Sequence, residues 1–121
     1  MADIEGAAVP ERLLITRTTT GDGVSLVLLA GEVDLDGSGQ LRDVLLSCVQ
    51  TAPGTVVDFG EVVFLDSSGI NVLISAHRAA ESRGVWLRLA ALQHAVERVL
   101  QLVGVDTLIA CYPTVEQALA A

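Results

Sequence analysis

The sequence predicts a single α/β domain: a mixed, mostly parallel sheet that opens with a hairpin and carries about four helices. Three observations support that prediction. Runs rich in β-branched residues alternate with stretches whose apolar residues recur at helical spacing. The first two strand candidates are joined by a short turn containing Asp-Gly. The chain has 121 residues, 51% hydrophobic and 18% charged, which suits one packed core and is too apolar for disorder.

The elements follow in order along the chain. Residues 1–12 lack periodicity and read as a loose tail, with the domain spanning 13–121. Leu13–Thr18 and Val24–Ala30 are strand candidates flanking Thr19-Thr20-Gly21-Asp22-Gly23, a hairpin turn. Leu41, Val44, Leu45, Cys48 and Val49 then recur at i, i+3, i+4, i+7 and i+8, the stripe of an amphipathic helix that Pro53-Gly54 ends. Thr55–Phe59 reads as a short buried strand, and Val62–Leu65 leads into Asp66-Ser67-Ser68-Gly69. The second helix sets Ile70, Leu73, Ile74 and His77 on one face and Asn71, Ser75, Arg78 and Ser82 on the wet one. Gly84 closes it, and Val85–Ala90 is a strand. A third helix carries Val96, Val99, Leu100 and Val103, with Gly104 just past its end. Thr107–Cys111 is a last strand, and Thr114-x-x-Gln117 opens a final helix as a capping-box pattern.

Charge narrows the function. Seven cationic residues against fifteen acidic ones give −8, and every cation is an arginine. Nucleic acid and anionic membranes are recognised by basic surfaces, so neither is an expected partner. No apolar run approaches the ~18 residues of a membrane span, and the acidic start Met1-Ala-Asp-Ile-Glu-Gly lacks the positive charge of a secretory signal. A cytoplasmic location is expected. Cys48 and Cys111 lack metal or redox spacing and read as two buried free thiols, with a regulatory disulfide as the alternative.

Catalytic motifs fare poorly. A phosphate loop needs a lysine, and there is none. Gly37-Ser38-Gly39-Gln40-Leu41-Arg42 offers the first two glycines of a dinucleotide fingerprint but puts arginine at the third. A phosphate-receiver arrangement of Asp58 with Glu32, Asp34 and Asp36 around Mg²⁺ lacks the lysine that such receivers use. A hydrolase triad has neither a Gly-x-Ser-x-Gly elbow nor a placed base: His77 reads as a packed histidine with its polar atoms satisfied, and His94 as an exposed helix start. Zinc-ligand spacing is absent, so no metal is expected.

Asp66-Ser67-Ser68-Gly69 remains, where a strand hands over to a helix. Two readings stand side by side. Asp66 or a serine accepts the first free helix N–H groups as a cap. Alternatively a serine hydroxyl there is an exposed phosphoacceptor, placed beside the positive end of the helix dipole. Phosphorylation adds about −1.5 to −2 charge, and with no basic cluster in the surrounding sequence it would repel a partner rather than recruit one.

Gly31-Glu32-Val33-Asp34, Val56-Val57-Asp58-Phe59 and Phe64-Leu65-Asp66-Ser67-Ser68-Gly69 resemble successive signatures of the STAS domain. Ala95–Gly104, Val105-Asp106 and Tyr112-Pro113-Thr114-Val115-Glu116-Gln117-Ala118-Leu119 are similar to the end of the same family. The likeness runs from about Leu13 to the C-terminus, and a free-standing domain with Asp-Ser-Ser-Gly resembles the bacterial anti-sigma factor antagonists. The resemblance implies a phosphoserine-switched binding module, not an enzyme. The unmodified form would bind an anti-sigma factor that is also a serine kinase and so release the sigma factor. Phosphorylation would end binding, and a PP2C-type phosphatase would reverse it. By position in the motif the acceptor is Ser67, with Ser68 a minor alternative. Asp34, Asp66, Ser68, Gly69 and Asn71 fall on the partner-binding side. ATP and Mg²⁺ belong to the kinase, so no cofactor is implied. The oligomeric state is left open.

The chain departs from the family pattern at Asn71, at Gly37-Ser38-Gly39, which reads as a loosened loop after Asp34, and at Gly60. The alternative is a STAS scaffold that binds a protein partner or small anion without phosphoserine switching.

Overall fold

A computed structural model describes residues 12–121, so the loose tail read at 1–12 lies, Arg12 apart, outside the described residues. The elements run β1 (Leu14–Thr19), β2 (Ser25–Val33), α1 (Leu35–Thr51), β3 (Gly54–Leu65), α2 (Ser67–Arg83), β4 (Trp86–Ala90), α3 (His94–Leu102), a 3₁₀ turn (Val105–Thr107), β5 (Cys111–Tyr112) and α4 (Val115–Ala120). The sheet is ordered β1-β2-β3-β4-β5. Among the described residues only β1 pairs antiparallel; every later neighbour is parallel. The hairpin closes where Thr20 N–H donates to Val24 O at 2.9 Å, with Gly23 at φ +85°.

Right-handed crossovers through strands taken in sequential order place successive helices on one face. The buried side chains agree. Leu41, Leu45 and Val49 of α1, Leu73 and Ala76 of α2, and Val96 and Leu100 of α3 share one cluster with Val27, Leu29, Val57, Phe59 and Leu89. α4 covers the opposite face, where Ala118 and Val115 meet Val56, Ala90 and Trp86. Arg88 pins it there: its guanidinium stacks 3.7 Å from the Trp86 ring centroid, and Nη1 donates to Ala118 O at 3.0 Å.

The structure departs from the sequence reading in four places. α1 begins at Leu35, so Gly37-Ser38-Gly39 is helix and not a loosened loop. Asp34 caps it, and Gly37 lies against Leu13, where a Cβ would sit 3.0 Å from two of its carbons. The two runs read after Pro53 form one twelve-residue strand, β3. Phe59, Val62 and Leu65 are spaced by three, which a regular strand cannot turn to one face. Two register shifts against β2, between Leu28 and Ala30 and between Gly31 and Glu32, absorb extra β3 residues and bring all three into the core. Asp58 Oδ1 accepts the Gly60 N–H at 2.8 Å in the first of these bulges. The last strand is only Cys111–Tyr112, with Thr107 in the 3₁₀ turn. Val103 falls beyond α3 and is exposed, while Gly104 turns the chain at φ +79°.

Thr55 is buried on β3 with its Oγ1 unpaired among the described residues. A desolvated hydroxyl without a partner costs about 1 kcal/mol or more. Thr55→Val is therefore expected to raise the urea midpoint by the equivalent of about 1 kcal/mol. A lowered midpoint would mean that the hydroxyl is satisfied in solution.

Candidate functional site

β2 and β3 end together. Val33 and Leu65 are register partners, and Asp66 N–H donates to Val33 O at 3.1 Å. The next residue on each strand is an aspartate in extended conformation, and each caps the helix that follows. Asp34 Oδ1 accepts from the N–H groups of Asp36 at 3.1 Å and Gly37 at 3.4 Å. Asp66 Oδ1 accepts from those of Ser68 at 2.9 Å and Gly69 at 3.3 Å. Two helix N-termini, each with its positive dipole end and its carboxylate cap, thus start side by side.

Capping by Asp66 leaves the serines without that duty. Ser67 is the first residue of α2 and is exposed, and its hydroxyl makes no hydrogen bond among the described residues. Ser68 is half-buried and Gly69 is buried. A Cβ on Gly69 would lie 2.5 Å from Leu65 Cδ1 and 2.6 Å from Val33 Cγ1, so its bareness lets α2 start close against the strand ends. Asn71 is exposed four residues after Ser67, on the same outward side of the helix. Asp34 and Asp66 are half-buried and, among the described residues, neither is ion-paired to an arginine. The structure brings Asp34, Asp66, Ser67, Ser68, Gly69 and Asn71 to one end of the sheet.

Two neighbours escaped the sequence reading. Leu35 is the first residue of α1, matching Ser67 on α2, and is 73% exposed. A cleft of about 570 Å³ beside Asp34 is lined by Arg12, Leu13, Leu14, Asp36, Gly37 and Gln40. Their only signal was Asp34 itself: reading it as a cap would have placed Leu35 and Asp36 in the first turn.

The groups set aside on sequence are placed as follows. His94 is exposed at the start of α3. His77 is packed, but among the described residues its Nε2 is not satisfied as expected: it lies 3.4 Å from Glu81 Oε2 without hydrogen-bond alignment. Among the described residues no three His, Cys, Asp or Glu side chains converge as metal ligands, and no helix is long and apolar enough to cross a membrane.

Both cysteines are free. Cys48 is buried, whereas Cys111 is only half-buried, a correction to the pair of buried thiols read from sequence. Burial first, then the carboxylates of Asp106 and Glu97, push the Cys111 thiol from its ordinary 9.0 up to about 11. Such a rise leaves roughly 100-fold less thiolate near pH 8. Iodoacetamide is accordingly expected to label Cys111 far more slowly in the native chain than in urea, read by peptide mass. Equal rates would show an accessible, ionisable thiol.

Comparison with known proteins adds sequence to this geometry. The profile of the STAS domain matches residues 16–118. A Mycobacterium tuberculosis protein named as an anti-anti-sigma factor is 31% identical over 106 residues, covering 84% of this chain and 72% of its own. The crystal structure of an anti-sigma factor antagonist from Mycobacterium paratuberculosis superposes with a TM-score of 0.81 at 27% identity, over 90% of this chain and 92% of that one. The Bacillus cell fate determinant SpoIIAA, in its phosphorylated form, superposes with a TM-score of 0.70 at 19% identity over 88% of this chain and 97% of its own, a likeness of fold.

Proposed function

The chain belongs to the STAS-domain family, among the anti-sigma factor antagonists, and from that premise we propose that Ser67 is the phosphoacceptor that switches its binding to an anti-sigma factor. The family is one of non-enzymatic regulators, and its partner is an anti-sigma factor. The unmodified chain docks through the end of the sheet where α1 and α2 begin, in the cytoplasm. An anti-sigma factor with serine kinase activity transfers the γ-phosphoryl group of ATP to the Ser67 hydroxyl. A PP2C-type phosphatase removes it.

The observation that supports this reading best is the division of labour at the start of α2. Asp66 caps the helix, and Ser67 is exposed with its hydroxyl unengaged among the described residues, beside a second capped helix start at Asp34. A phosphate there gains the α2 dipole but meets two carboxylates, and no arginine is paired with them among the described residues. Within a water-excluding interface that dianion is poorly compensated, which favours dissociation.

Phosphopeptide mapping of the chain after incubation with ATP and its cognate anti-sigma factor tests the proposal. Phosphate on the peptide containing Ser67, retained in Ser68→Ala and lost in Ser67→Ala, is the expected result. No phosphate at Ser67, in that reaction or in protein from growing cells, would leave a STAS scaffold that binds without switching.

A further inference from the structure

The two edges of the sheet are treated differently. β5 has two residues and runs straight into Pro113 and α4, so it offers almost no ladder to another strand. β1 has six residues, Leu14-Ile-Thr-Arg-Thr-Thr19, and among the described residues pairs only with β2. It contains no proline, glycine or bulge, and its pairing with β2 is unbroken. Five of its six residues are β-branched or aliphatic, which favours extended pairing.

Natural edges are usually blunted by a charged side chain pointing into the approach path. Here the one charge on the strand is held elsewhere: Arg17 Nη1 donates to Ser47 Oγ and Nη2 to Thr51 Oγ1, each at 2.9 Å, on α1. The outward hydrogen-bonding groups can be assigned. Thr20 bonds to Val24 at the closed end of the hairpin, so antiparallel alternation turns Thr18, Thr16 and Leu14 toward β2. Ile15, Arg17 and Thr19 then direct their N–H and C=O groups out of the sheet. On the face away from α1 the strand presents Leu14, 67% exposed, with Leu28 exposed on the next strand.

We propose that this edge pairs with β1 of a second copy of the chain, antiparallel about a twofold axis, joining two five-stranded sheets into one. An antiparallel strand is complementary to itself, and the contact closes as a symmetric dimer. Charge admits a copy of this chain: the twofold sets Arg17 opposite its own counterpart, but each guanidinium is held on α1 by Ser47 and Thr51. β1 bears no carboxylate although the chain carries −8. The twofold also brings the Arg12 end of each strand toward the Asp22 turn of the other copy, an opposite-charge match at both ends. Thr16 and Thr18 line the shared face, where cross-strand threonine pairs are favourable. The proposal is argued from β1 alone and does not rest on the switch at Ser67.

Light scattering across a dilution series, with amide hydrogen exchange by NMR, tests it. The expected mass at high concentration is twice the 12.6 kDa of one chain, falling toward one chain on dilution. The amides of Ile15, Arg17 and Thr19 should be protected only in the concentrated sample, while those of Thr16 and Thr18 stay protected throughout. The double variant Thr16→Lys/Thr18→Lys, at two exposed positions, should remain folded and monomeric with the outward amides unprotected. A single-chain mass at every concentration overturns the proposal. So does a dimer that survives the lysines or leaves the three outward amides unprotected.

Discussion

Ser67→Glu is expected to weaken the complex with the anti-sigma factor by about 2–4 kcal/mol, roughly 30- to 1,000-fold in Kd. Ser67→Ala should bind like the unmodified chain and resist phosphorylation. The size follows from where the charge lands. Position 67 is the first of α2, outside the hydrogen bonds that Asp66 makes to Ser68 and Gly69, so the substitution leaves the cap intact. The helix dipole would even welcome an anion, by about 0.3–1 kcal/mol at an exposed terminus. Folding stability is thus expected to hold or rise slightly while affinity falls, which separates a lost interface from a lost fold. A phosphate, with nearly twice the charge, should exceed the glutamate effect. Equal affinity for all three chains by calorimetry would remove Ser67 from the interface.

The Asp66–Gly69 region was legible because capping chemistry is local. Asp-Ser-Ser-Gly at a strand-to-helix junction needs only neighbouring backbone to make sense, and α2 starts where that reading places it. The start of α1 was not legible, although the same chemistry operates there. Gly37 and Gly39 each disfavour helix by about 1 kcal/mol, and the apolar stripe begins only at Leu41. What overrides them is tertiary: the Asp34 cap and the packing of Gly37 on Leu13, which arrives from across the chain. The exposed Leu35, the α1 counterpart of Ser67, was hidden by the same error. β3 shows the complementary case. Its two bulges satisfy a core on one side and β2 on the other, and no local pattern announces them. The short β5 and the 3₁₀ turn before it were misread because Thr107–Cys111 has strand composition while Leu108 and Ile109 bond back to Val105.

Gly31→Ala is expected to be among the most destabilising single-methyl changes in the chain, costing about 3–5 kcal/mol. Two independent penalties meet there. The backbone sits at φ +104°, where an L side chain is strained by about 1–3 kcal/mol. The added Cβ would also lie 2.3 Å from Arg12 O and 3.1 Å from Arg12 C, and these are backbone atoms with no rotamer to yield. Relief would require pulling the lead-in to β1 away from β2, just ahead of Leu14, which pairs with Ala30. Against a total of about 5–15 kcal/mol for a domain, such a loss lowers Tm by more than about 10 °C. Gly21→Ala is the control, since no atom lies within 4 Å of its added methyl, and it should change stability by less than about 0.5 kcal/mol. The effect reaches the site as well, because Gly31 stands at the second register shift of β2, three residues before Asp34. A Gly31→Ala chain that stays folded should therefore bind its anti-sigma factor more weakly than Gly21→Ala does. Stability within about 1 kcal/mol of the parent would mean that the Arg12–Leu13 segment leaves β2 at little cost, and that the glycine of Gly31-Glu32-Val33-Asp34 is not there for the backbone.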